Sequence, residues 1–344
     1  MKSKKMSICV LMILAAAAAF SQNVRIKVAS IVPSRSNWDI EQHNMAQNFS
    51  RITNGAVTLQ FMGATAMGGE DGVIQKLNAV RPGQIPPING AIFTSLGLSE
   101  LAPESSTLTL CVPFMFRNQG EVNAVLKEFS ADMQKPVMDK GYEVLGWFCV
   151  GWAYFYTKKP ARTPEALKTQ RLCVGSFTAP ALTNAFKAAG FLTIDVPAEK
   201  LLQSMKSPSG VEGLYTLPMY AYAAQYTKNL PYILDVPLCP ILAAFIVSKD
   251  TWAKVPDKFK EPLIQTVQDS GRKFENDLVK SDADYLDRSE KAGATLVKLT
   301  PAEYAVFEKS FREDSKKMYE AKDPVVNKDL YDRITVFLKK QRGE

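Results

Sequence analysis

The sequence predicts an α/β protein of two domains, and three observations carry the prediction. Strand-like and helix-like patterns alternate from residue 24 in a βαβα order. The same alternation starts again at "TPEALK", residues 163–168. At 344 residues, the chain also exceeds the size at which one hydrophobic core keeps growing.

Ahead of the first strand, "MKSKKMSICVLMILAAAAAFSQ" has a basic start, an apolar run from Ile8 to Ala19 and small residues before Gln22. That pattern reads as an export signal over residues 1–21, cleaved to release a periplasmic protein; the apolar run is short for a membrane span. Removing Lys2, Lys4 and Lys5 lowers the formal charge from +7 to about +4. The remaining Lys and Arg are interspersed with acids, as in "EKSFREDSKK", which describes solvated helix faces and speaks against a nucleic-acid partner.

The elements follow in order. "VRIKVAS" alternates like a strand, and "NWDIEQHNMAQNFSRITNG" reads as a helix capped at Asn37 and stopped at Gly55. "AVTLQFM" is a second strand and "GGEDGVIQKLNAV" a glycine-opened second helix. "AIFTSLG" is an apolar strand end of the kind that lines crevices in open sheets. "TLTLCVPFMFRNQGEVNAVLKEF" gives a strand, a Pro-Phe corner and a helix. The 18 residues of "YEVLGWFCVGWAYFYTKK" are long for one strand, and a strand crossing between domains accounts for them.

In the second half, "QRLCVGS" and "LTIDV" read as strands around the helix "APALTNAFKAAG". From Pro256 a helical pattern shows Phe259, Leu263, Val267, Phe274, Leu278 and Tyr285 on one face. Continued to Ala292, it reaches about 50 Å, enough to brace two domains. Two amphipathic helices end the chain and are expected on the outside.

Catalytic and metal motifs are missing. No G-x-S-x-G, P-loop, G-x-G-x-x-G, H-E-x-x-H or C-x-x-C occurs, and His43 is the only histidine. Carboxylates such as Glu70, Asp71 and Glu212 form no evident pair. Cys111, Cys149, Cys173 and Cys239 sit in apolar surroundings and read as buried free thiols. The chain therefore reads as a binding protein without cofactor or metal. An exported enzyme would need an acid/base set that the sequence does not display, and a scaffolding protein would lack an enclosed interdomain cavity.

Five segments, in order, resemble the DctP-like substrate-binding proteins of TRAP transporters: "GGEDGVIQKL", "LAPESSTLTLCVPFMFRNQGEV", "LGWFCVGWAYFYTKKPARTPEALK", "VEGLYTLP" and "AAFIVSKDTWAKVPDKFKEPL". The resemblance implies a two-domain periplasmic binding protein fold with crossing hinge strands and a long domain-bridging helix. It places domain I at 22–150 plus about 242–281, and domain II with the C-terminal helices at 151–241 plus about 282–344. It also implies a membrane permease as partner, a ligand enclosed by domain closure, and no chemistry on that ligand.

Family members mostly bind organic acids through an Arg in a strand reading L-K-G-x-K-I-R. Laid on "LKTQRLC", that pattern puts Cys173 at the Arg position, and Ala153 stands where many members carry a second Arg. A charge-assisted hydrogen bond contributes about 1.5 to 3 kcal/mol, whereas an apolar ligand burying about 200 Å² gains about 5 kcal/mol. The expectation is therefore an apolar ligand lined by Phe93, Thr94, Trp152, Ala153, Tyr154, Cys173, Phe177, Tyr215, Thr216, Leu217 and Met219. A tetratricopeptide-repeat partner protein is expected by analogy with part of the family. The alternative is an organic-acid receptor whose cation has moved, with Arg171 turning inward from the strand start.

Overall fold

The structure, a computed structural model, describes residues 23–79, 84, 86–174, 180–320 and 324–344. The expected export signal at 1–21 and the candidate Phe177 lie outside the described residues.

Strands β1 (Val24–Ser30), β2 (Val57–Gly63) and β3 (Gly90–Thr94) begin the sheet. Those after them are β4 (Tyr142–Thr157), β5 (Leu172–Cys173), β6 (Gly213–Thr216), β7 (Tyr232–Leu234), β8 (Cys239–Ser248) and β9 (Thr295–Val297). They pair in the order β2-β1-β3-β8-β4-β6-β5, with β7 joining β4 to β9. β1 runs parallel to β2 and β3, as helical crossovers require. The crossover from β1 to β2 is helix α1 (Asn37–Ile52), and α2 (Gly69–Asn78) leads towards β3.

β8 is antiparallel to both β3 and β4 and so stitches the two groups of strands together. β4 pairs with β8 from Tyr142 to Ala153, then with β6 from Tyr154 to Thr157. The 16-residue strand therefore crosses from one group to the other, as its length predicts. Its register with β8 shifts between Cys149 and Gly151, and Gly151 sits at φ +144°. At that φ an L side chain is strained, so glycine fits the bulge.

Eight further helices complete the frame used below: α3 (Ser95–Leu101), α4 (Gln119–Asp139), α5 (Pro164–Lys168), α6 (Pro180–Ala188), α7 (Leu201–Lys206), α8 (Pro218–Ala223), α9 (Lys249–Trp252) and α10 (Asp257–Lys291). The 35 residues of α10 span about 50 Å. Its buried face carries Leu263, Val267, Phe274, Leu278 and Tyr285, while Phe259 is partly buried against the core. The helix approaches β4 closely because Gly271 has no side chain; a Cβ there would stand 2.2 Å from Phe148 Cδ1. Trp38 of α1 seals this junction, stacked on Phe274 at 4.3 Å and edge-on to Phe148 at 5.6 Å.

Four readings change. The cap of α1 is Ser36, whose Oγ accepts from the Asp39 N–H at 3.2 Å, one residue before the expected Asn37. "TLTLC" forms a 3₁₀ turn over Thr107–Cys111: Ser106 enters it with φ 55°, and Thr107 Oγ1 donates to the Ser95 carbonyl at 2.8 Å. "LTIDV" contributes only a bridge between Thr193 and Leu172, with Leu192 turned to solvent. The C-terminal helices α11 (Pro301–Glu320) and α12 (Lys328–Arg342) do more than cover the outside. Phe311 of α11 packs on Phe114, Phe155 and Phe191, and Arg342 of α12 reaches back to Glu121 of α4 at 2.7 Å.

Candidate functional site

A cavity of about 110 Å³ opens at the carboxyl ends of β3 and β6, where open sheets bind ligands. Thr94 ends β3 and Thr216 ends β6, and both line it. Its walls are apolar on every side: Leu108 and Val112 from the 3₁₀ turn and its exit, Leu182 and Phe186 from α6, and Ile241 from β8. Met318 of α11 and Val325 and Val326 beyond it close the wall, so the C-terminal region builds part of the site.

The Thr94 side is anchored by a buried carboxylate. Glu70, 2% exposed at the start of α2, accepts from the Thr94 N–H at 2.5 Å, the Thr94 hydroxyl at 2.7 Å and the Gly97 N–H at 3.1 Å. Burial pushes its pKa up to about 7, an effect these hydrogen bonds partly offset. Gly97 must lack a side chain, because a Cβ there would meet both Glu70 Cδ and Phe93 Cδ1 at 2.8 Å. Gly68 and Gly69, both at positive φ, deliver Glu70 into place. The "GGEDG" motif is thus the foundation of one cavity wall. With its proton given to Glu70, the Thr94 hydroxyl presents lone pairs to a ligand.

The opposite side is held differently. Among the described residues no hydrogen-bond partner occupies the Thr216 hydroxyl, which stands beside the apolar Leu217 on the cavity wall. Tyr215 also lines the cavity, with its hydroxyl on the Cys239 sulfur. Cys239 lies in β8, and its thiol bonds to that of Cys111, another cavity-lining residue. Burial drives both Tyr215 and Cys239 well above their ordinary pKa, so both stay protonated.

Of the expected ligand-binding residues, the fold brings Thr94, Tyr215, Thr216 and Leu217 to this cavity. Phe93 is buried in the core beneath, and Met219 is buried in α8. Trp152, Ala153 and Tyr154 are core residues of β4, the first with its N–H on Asp282 Oδ2 at 3.1 Å. Cys173 is 2% exposed and does not line the cavity; burial pushes its thiol up to about 11.

Arg171, the cation of the alternative reading, does not line the cavity. Its Nε donates to the Gly210 carbonyl at 2.7 Å, one Nη donates to Pro208 at 2.7 Å, and Glu212 pairs with it at 3.1 Å. The guanidinium therefore fastens the loop ahead of β6. Sequence reasoning missed Glu70, Cys111, Phe186, Tyr220 and Met318. Only Glu70 had a readable mark, the glycines flanking it.

Two carboxylates of α10, Asp282 buried and Glu275 half-buried, hold the crossing strand. Before Tyr154, β4 pairs with β8 alone among the described strands. On α10, Glu275 Oε1 accepts from the Cys149 N–H at 2.8 Å and Asp282 Oδ2 from Trp152. The two are seven residues apart, which puts them on one helix face. Burial raises the pKa of both, that of Asp282 to about 7. Among the described residues no group of three or more His, Cys, Asp or Glu could hold a metal, and no helix is long and apolar enough to cross a membrane.

Comparison with known proteins follows the fold. The profile of bacterial extracellular solute-binding protein family 7, DctP, matches residues 28–322. A solute-binding protein of Roseobacter denitrificans is 19% identical over 296 residues, covering 85% of this chain and 86% of its own length. A TRAP periplasmic solute-binding protein of Ralstonia eutropha, solved with (S)-2-acetolactate, superposes with a TM-score of 0.77 at 20% identity over 92% of this chain and 99% of that one. One from Sulfurospirillum deleyianum, with succinate, gives 0.77 at 19% identity over 91% and 98%. Another from Roseobacter denitrificans, with β-D-glucuronate, gives 0.76 at 18% identity over 90% and 99%.

Proposed function

The chain belongs to the DctP family of bacterial extracellular solute-binding proteins, the receptors of TRAP transporters, and on that premise we propose that its solute is a small organic acid with an apolar body. The receptor is exported, encloses the acid between its two lobes and hands it unchanged to a membrane permease. The lobes divide near the Gly151 bulge, with α10 bridging them.

The expectation of an apolar cargo is corrected here. The solved relatives hold acetolactate, succinate and glucuronate, all organic acids. The tetratricopeptide-repeat partner rested on an apolar cargo and loses its premise with it.

One observation carries the reading: an apolar cavity has at one strand end a hydroxyl without a partner among the described residues, and at the other a hydroxyl that presents lone pairs. The Thr216 hydroxyl donates to the carboxylate, and the apolar walls take the rest of the molecule. A neutral donor serves a carboxylate less well than a guanidinium, by roughly 1 to 2 kcal/mol. Burial of the apolar body makes up that difference at about 25 cal/mol per Å².

Calorimetric titration with a series of monocarboxylates from acetate to branched five-carbon acids, with succinate and the matching alcohols alongside, tests this. Affinity should rise with apolar bulk until the cavity is full, and the alcohols should bind at least about 10-fold more weakly. Equal binding of acids and alcohols would overturn the proposal.

A further inference from the structure

Two thiols meet at the edge of the cavity without a role in holding a solute. Cys111 ends the 3₁₀ turn and lines the cavity, partly exposed. Cys239 starts strand β8 and is fully buried. Their thiols are in hydrogen-bond contact, and a backbone bond from the Phe114 N–H to the Leu238 carbonyl, 2.8 Å long, holds the two segments together. Cys149 and Cys173 are also buried, and neither lines the cavity.

We propose that Cys111 and Cys239 are a disulfide-forming pair, a modification site that staples the cavity wall at Thr107–Cys111 to strand β8. The pair spans the requirements of the chemistry. Cys111 is the reachable member, and its contacts with Cys239 and Ser95 hold its thiol below the ordinary value, favouring the nucleophilic thiolate. Cys239 is sealed behind it and stays protonated until Cys111 has reacted.

With a small-molecule disulfide as oxidant, the Cys111 thiolate attacks one sulfur and expels a thiolate, leaving a mixed disulfide on Cys111. Cys239 then gives up its proton to the departing thiolate and attacks the Cys111 sulfur, expelling the second thiolate. Two protein thiols become one disulfide, and the two electrons reduce the oxidant to two thiols. The closed loop encloses well over a hundred residues, the regime in which a cross-link restricts the unfolded chain most. In the folded protein, it removes the freedom of the 3₁₀ turn to move away from β8.

Oxidised glutathione, titrated onto the purified reduced chain, tests the pair without any solute, so the result is independent of the ligand reading. The expected product is about 2 Da lighter, with a single Cys111–Cys239 cross-linked peptide. Its Tm should rise by a few degrees, and amide exchange across Thr107–Cys111 should slow by about 10-fold or more. Cys111→Ser and Cys239→Ser should each abolish the mass loss, whereas Cys149→Ser and Cys173→Ser should leave it unchanged. A stable glutathione adduct on Cys111, a cross-link through Cys149 or Cys173, or no oxidation at all would each overturn the proposal. Mapping the unmutated chain decides the matter even where a variant folds poorly.

Discussion

The two strand ends that face each other across the cavity are built in opposite ways. On one, β3 lies between β1 and β8, and a buried glutamate takes both the hydroxyl and the amide of Thr94. On the other, β6 has four residues, its outer neighbour β5 has two, and the Thr216 hydroxyl has no partner among the described residues. The contrast separates two jobs. The Thr94 side invests its polar groups in the fold, whereas the Thr216 side keeps a donor in reserve for the solute.

The largest effect that tests this contrast is on Glu70. Glu70→Leu leaves two buried N–H groups and a hydroxyl without their acceptor, which costs about 3 kcal/mol or more of stability in urea titration. Glu70→Gln should retain much of that stability and change its pH dependence. The folded carboxyl has a pKa near 7, above the ordinary carboxylate value, so the folded state holds a proton that the unfolded chain releases. Its contribution is complete below the ordinary carboxylate range and is lost as pH rises through 7. Stability of the unmutated protein should therefore fall from pH 5 to pH 8. The fall should be shallower in Glu70→Gln but still present, because Asp282 shifts the same way. A fall of unchanged size would show that Glu70 is ionised throughout.

Thr216→Val should do the reverse, weakening binding of the best monocarboxylate by about 10-fold while moving Tm by less than about 2 °C. Equal losses of affinity and stability would erase the division of labour. The smallest effect is expected at Arg171. Arg171→Ala should change solute affinity by less than about 2-fold and cost about 1 kcal/mol of stability, since its ion pair with Glu212 is partly exposed. A larger loss of affinity would return Arg171 to the site.

The same contrast explains what was legible in the sequence. β1, β2, α1 and α10 follow their hydrophobic periodicity because each presents one repeating face to the core. The crossing strand was readable from its length alone. The short strand β5 was located and β6 was not read as a strand; "LTIDV" misled because Ile194 and Val196 pack on the core while the segment forms only a single bridge to the two-residue β5. Of the residues expected at the site, Thr94 and Thr216 stand at the ends of β3 and β6 and line the cavity. The walls supplied by α6 and α11 were not expected, since an apolar residue facing a cavity has the same pattern as one facing the core. Position in the family motif pointed to Cys173, yet burial removed it from the wall. Only the folded chain shows that Arg171 is tied to Pro208, Gly210 and Glu212.

The carboxylates of α10 have a mechanical consequence. A strand inside a sheet cannot bend without tearing hydrogen bonds from a neighbour, and β4 would be no exception if strands flanked it throughout. Around Gly151, the outward amides of Cys149 and Trp152 are instead held by side chains, which can follow the backbone through a rotation. The chain thus has a crease at that point, supported from behind by a rigid rod. Lobe movement would fold along this line, with the helix carrying the axis and the carboxylates acting as its pins.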